Sequence, residues 1–154
     1  MPELRFSDVP VECWMHDGRL GVSPRSVCLF HRRPDDGRVL LDALAEAEAG
    51  APYRRTATLA ASSRPGAVRT VRFEIAEPTI EMKAMHAACA GETCVIRLTA
   101  EGAAAFRSSL NAWFDGGEDF GCGPRQADVP AETLGEADRA SAEVWFWGPH
   151  YSGP

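Results

Sequence analysis

Residues Thr93 to Phe120 read TCVIRLTAEGAAAFRSSLNAWFDGGEDF, a strand running straight into a helix. Cys94, Ile96 and Leu98 alternate with Val95 and Arg97, the two-residue period of a strand with a buried face. Thr99 offers a hydroxyl at the N-cap, and Glu101 puts negative charge in the first turn, where the helix dipole favours it. Phe106, Leu110, Trp113 and Phe114 recur at helical spacing and make one apolar stripe, with Arg107, Ser108 and Asn111 on the other side. Asp115-Gly116-Gly117 stops the helix, because glycine takes the left-handed conformation at no steric cost. The aromatic end of the stripe (Trp113, Phe114, Phe120) is expected to be core facing a sheet rather than a ligand pocket.

Outward from that stretch the same periods recur. Strands are expected at Val9 to Met15, Ser26 to His31 and Arg54 to Ala61, and a helix at Val39 to Ala49 with Leu40, Leu41 and Leu44 inward. Asp17-Gly18 reads as a turn, and Arg32 to Gly37 and Ser62 to Gly66 read as loops. Val71, Phe73 and Ile75 alternate with Arg72 and Glu74 in a half-buried strand that Glu77-Pro78 ends. Thr79 to Ala90 is expected to be a strand in its first half and a helical turn in its second. Residues 121–141 read as irregular, with one short turn near Glu132, and Ala142 to Trp147 as a closing strand. The simplest architecture is α+β: a single domain over 1–154, with one antiparallel or mixed sheet of about five to seven strands and two main helices packed on it.

The 154 residues suffice for one ordinary core. No run of about 18 apolar residues suggests a membrane span. The N-terminal MPELRFSDVPVE lacks the basic and apolar regions of a secretory signal, so a cytoplasmic location is expected. Five cysteines then point to free thiols or metal ligands rather than a disulfide framework. The net charge of −6 lies in one segment: Asp115 to Glu143 holds eight acids, opposed only by Arg125 and Arg139. Such a surface repels phosphate backbones, which argues against nucleic acid, and favours a partner protein with a basic surface.

Cysteine and histidine recur three apart at Cys13/His16, Cys28/His31 and His86/Cys89. The first two pairs have the form of a Cys2His2 zinc site, since thiolate and imidazole suit a tetrahedral ion. The objection is that residues three apart on a strand point to opposite faces. His86 and Cys89 would share a face only on a helix. Cys122, between Gly121 and Gly123, reads as an exposed and unreactive loop cysteine. No glycine-rich phosphate cradle, G-x-S-x-G elbow or H-E-x-x-H helix is present.

The C-terminal run EVWFWGPHY sets aromatics on both faces of a short strand, directly after the acidic segment. Trp and Tyr dominate binding hot spots. The sequence therefore leads to a non-enzymatic interaction module of the inhibitor, immunity or accessory type. Its expected contact residues are Asp115, Glu118, Asp119, Trp145, Trp147, His150 and Tyr151. The alternatives are a zinc-binding domain using Cys13, His16, Cys28 and His31, and a small enzyme whose site is not legible.

Overall fold

The computed structural model describes residues 11–16, 26–31, 38–50, 55–58, 67–116 and 120–147. The chain is α+β. Its strands are β1 (Val11–His16), β2 (Ser26–His31), β3 (Arg55–Thr58), β4 (Ala67–Val68), β5 (Thr70–Ile75), β6 (Met85–Ala90), β7 (Thr93–Leu98), β8 (Phe120–Cys122) and β9 (Glu143–Trp147). Helix α1 (Arg38–Ala49) follows β2, α2 (Ala100–Gly116) follows β7, and a short α3 (Glu136–Ala140) precedes β9. No helix among the described residues is long and apolar enough to cross a membrane.

The strands do not make the single layer expected. They hydrogen-bond in two mixed sheets, ordered β4-β1-β2-β9-β8 and β3-β5-β7-β6. The break falls at Arg69. The N–H groups of Arg69 and Thr70 both donate to the Glu92 carbonyl, at 2.7 and 3.1 Å. Two successive donors on one acceptor mark a bulge, where a strand bends. Before it, Val68 pairs with Cys13; after it, Thr70 pairs with Thr93 and Thr58. One run of chain thus leaves one sheet and enters the other.

The topology is nearly twofold, although the sequence shows no repeat. β1-β2, α1 and the antiparallel pair β3-β5 form one unit; β6-β7, α2 and the antiparallel pair β8-β9 form the other. Each closing pair joins the other unit's opening hairpin through a parallel contact: β9 along β2, and β5 along β7. Even the edges correspond. β4 pairs with β1 just before β5, and the Ala142 N–H reaches the Ala87 carbonyl of β6 just before β9.

The stripe predicted on α2 is the centre of the core. Phe106, Leu110 and Trp113 are fully buried. Phe106 meets Phe73 of one sheet and Phe146 of the other, each with ring centroids 5.6 Å apart and tilted edge to face. Trp113 adds a second contact to Phe146 at 5.1 Å. Edge-to-face packing suits the ring quadrupoles. Leu40, Ala43, Leu44 and Ala47 bury the matching stripe of α1, and Glu48 pairs with Arg107 across the two helices.

Thr99 caps α2 as its position predicts: its hydroxyl accepts the Gly102 N–H at 3.2 Å and donates to the Lys83 carbonyl at 2.8 Å. The preceding segment departs from expectation. Thr79 to Ala84 is irregular, and the strand lies in the second half, as β6. Met82 and Ala84 are buried while Ile80 is 84% exposed. The N–H groups of Lys83, Ala84 and Met85 all point at one carboxylate, whereas an extended strand would send successive groups to alternate sides. Residues 85–90 are alanine-rich yet pair along their whole length with β7, so tertiary pairing overrides helix propensity.

Candidate functional site

The 121–141 segment is more ordered than its composition suggests. After β8, Pro124–Gln126 forms a single 3-10 turn closed by the Gln126 side chain, whose Oε1 accepts the Gly123 N–H at 2.6 Å. A second 3-10 turn, Ala131–Thr133, stands where a turn near Glu132 is expected. Helix α3 then packs against β6 and the 81–85 segment. The Ala137 N–H reaches the Glu81 carbonyl at 2.9 Å, and His86 Nδ1 donates to the Ala137 carbonyl at 2.8 Å. Ser141 Oγ accepts the Ala87 N–H at 2.8 Å.

Asp138 holds this arrangement together. It is 2% exposed. Oδ2 accepts N–H groups from Lys83 (2.7 Å) and Gly135 (2.9 Å), and Oδ1 those from Ala84 (2.9 Å) and Met85 (3.0 Å). Burial pushes this carboxyl up, but the N–H groups of Lys83, Gly135, Ala84 and Met85 outweigh it and hold it below the usual range. Both oxygens are committed, so Asp138 is an internal anion that fixes the backbone, not a free acid or base. Among the described acids of that run it is the buried one.

Between the Pro124–Gln126 turn and α3 lies an open cavity of about 710 Å³. Arg125, Gln126, Leu134, Arg139, Ser141 and Glu143 are among its walls. Arg125 and Arg139 are both exposed, and neither makes an ion pair among the described residues. They are the only two bases of the Asp115–Glu143 segment, and both face this cavity. Asp128, Glu132 and Glu136 are exposed on the same segment. Glu143 accepts the Trp145 Nε1–H at 3.2 Å, which ties a half-buried indole to the cavity rim.

Of the contact residues expected from sequence, Trp145 alone has a described side chain, and it stands beside the cavity. Asp115 lies in the last turn of α2 and Trp147 at the end of β9, with only their backbone described. Glu118, Asp119, His150 and Tyr151 lie outside the described residues. Arg125, Arg139 and Asp138 were not marked as site residues by the sequence. The visible signal was the isolation of two arginines among acids.

Cysteine positions need two corrections. Cys122 is not an exposed loop residue. It ends β8 and is fully buried. Burial pushes its thiol up; a hydrogen bond from Ser109 opposes this and the Glu143 charge adds to it. His86 and Cys89 stand on a strand rather than a helix, so a shared face is lost. For the four zinc candidates, the β1–β2 register sets Cys13 opposite Leu29 and Cys28 opposite Trp14. Directly opposed positions share a face and neighbours along a strand alternate, so Cys13 and Cys28 fall at positions on opposite faces of the ladder. Among the described residues no three His, Cys, Asp or Glu side chains are grouped to hold a metal ion.

No protein-family model, curated protein or solved structure matches this chain.

Proposed function

We propose that the chain is a binding domain for a partner protein, engaged through the cavity between the Pro124–Gln126 turn and α3. The observation that carries this reading is the pair Arg125 and Arg139, which line one cavity together with Glu143 and make no ion pair among the described residues, in a segment otherwise full of acids. A guanidinium offers a rigid fork of donors that matches a carboxylate. The partner therefore presents an acidic side chain or chain terminus to the cavity, and basic residues to Asp128, Glu132 and Glu136, which are exposed on the same segment. Trp145 supplies apolar contact beside it. The backbone network around Asp138 keeps the cavity walls in place before binding, which lowers the ordering cost of association.

The test is quantitative affinity capture from the cells that make the protein, with wild type beside Arg125→Glu/Arg139→Glu. Both side chains are exposed, so folding is expected to survive, and thermal melting checks it. A protein retained by wild type and lost with the folded double variant supports the reading. Equal retention by both removes the cavity from it.

A further inference from the structure

Cys89 and Cys94 face each other across the β6–β7 hairpin. Ala90 pairs with Thr93, which leaves only Gly91 and Glu92 in the turn. Gly91 has a φ of 61°, as the first residue of a two-residue hairpin turn requires. The pair that closes such a turn exchanges both backbone hydrogen bonds, so the next pair, Cys89 with Cys94, is a non-hydrogen-bonded one. A second observation agrees. Ala87 is two residues along and in the same phase, and it directs its N–H to Ser141 and its carbonyl to Ala142, away from β7.

In a non-hydrogen-bonded antiparallel pair the Cα atoms lie about 4.5 Å apart and the side chains lean together. A disulfide spans Cα separations of about 4.4–6.8 Å. Neither residue is in a disulfide. Cys94 is fully buried, and Cys89 is half-buried at the rim of the core. Cys89 is thus the more exposed of the two, with Cys94 directly across from it on the same face of the hairpin.

We propose that Cys89 and Cys94 form a thiol–disulfide exchange site whose co-reactant is a low-molecular-weight disulfide such as oxidised glutathione. The Cys89 thiolate attacks one sulfur of the reagent. Its S–S bond breaks, and one glutathione leaves as a thiolate that takes up a proton. Cys94, as thiolate, then attacks Cys89 Sγ and expels the second glutathione. The two protein thiols lose two electrons and two protons, and the reagent becomes two thiols. A hydrogen bond from the Cys94 thiol holds the Cys89 thiol below the usual cysteine range, partly opposed by burial, which favours Cys89 as the attacking group. The ring so closed spans only one tight turn and restricts little of the unfolded chain, so the bond is a chemical switch rather than a staple.

The test treats the full chain with oxidised glutathione, blocks remaining thiols with iodoacetamide and digests with trypsin. Cleavage after Lys83 and Arg97 leaves both cysteines in one peptide, Ala84 to Arg97. The expected product is that peptide lighter by its two thiol hydrogens and restored by dithiothreitol. Cys94→Ser should instead trap one glutathione on Cys89. Cys89→Ser, at the more exposed position, should leave Cys94 unmodified, and it decides the matter if Cys94→Ser does not fold. Wild-type peptide recovered with both thiols alkylated, or with glutathione held stably on Cys89, overturns the proposal.

Discussion

The Asp138 carboxylate accepts the Lys83 backbone N–H at 2.7 Å although 55 positions separate the two residues in sequence. With Gly135, Ala84 and Met85 it takes up four donors. Replacing one oxygen by an amide turns an acceptor into a donor aimed at two N–H groups. A hydrogen bond to a charged group contributes about 1.5–3 kcal/mol, and a buried donor left unpaired costs a similar amount. Asp138→Asn should therefore cost at least about 3 kcal/mol. At about 2–4 °C per kcal/mol for a chain of this size, the melting temperature should fall by roughly 6–12 °C. Circular dichroism melts of the two proteins check it.

The same carboxylate sets a pH dependence. Its folded-state pKa lies below the ordinary value of 3.8. The folded state therefore holds the ionised form more strongly than the unfolded state does. That stability is fully present above the unfolded value and is lost as pH falls through the folded one. The difference in melting temperature between wild type and Asp138→Asn should be constant at neutral pH and shrink below about pH 4. A difference that stays constant into acid would remove ionisation of Asp138 from the account.

Two glycines make opposite demands. At Gly102, inside α2, a Cβ would fall on the Ala84 carbonyl. Alanine usually gains about 1 kcal/mol over glycine in a helix, but here the backbone must move. Gly102→Ala should destabilise by about 1–3 kcal/mol, the usual cost of overpacking. At Gly91 a Cβ has open space, but φ is +61°. Gly91→Ala should cost about 1–2 kcal/mol from backbone conformation alone. Urea denaturation curves of both variants check these values.

The extent to which the sequence was legible follows the range of the interactions. β7 and α2 can be read from residues 93–116 because alternation, cap and stripe are local, and Phe106, Leu110 and Trp113 are buried as spaced. β6 cannot, because its irregular approach is dictated by Asp138, more than fifty positions away. The division into two sheets turns on a bulge at Arg69 that leaves no mark in composition. The cavity is hidden for the same reason: α3 is placed by its bonds to the 81–87 segment. Only the isolation of Arg125 and Arg139 among acids was visible, and it has no meaning until both are seen on one cavity.

Phe106 touches an aromatic ring from each sheet. Truncating it opens a cavity at the junction of both, and Phe→Ala changes in cores cost about 3–5 kcal/mol. That is a large share of a stability of about 5–15 kcal/mol. Phe106→Ala should lower the melting temperature by roughly 6–20 °C. Ile80→Ser, at an exposed position, should change stability by less than about 0.5 kcal/mol. Thermal melts of the pair separate core packing from bare hydrophobicity.

Arg125 and Arg139 should act on association through charge. Once a partner is in hand, replacing both by alanine removes two charge-assisted contacts of about 1.5–3 kcal/mol each. At 1.4 kcal/mol per tenfold, affinity should fall at least a hundredfold. Lysine at both positions keeps the charge but not the planar fork, so Arg125→Lys/Arg139→Lys should recover only part of the loss. Raising ionic strength should weaken wild type more than the alanine variant, because screening acts on charges that the variant lacks. Isothermal titration at two salt concentrations measures all three effects. Equal salt sensitivity in wild type and the alanine variant would mean that the guanidinium groups do not meet an anion in the complex, and the cavity would lose its place as the binding site.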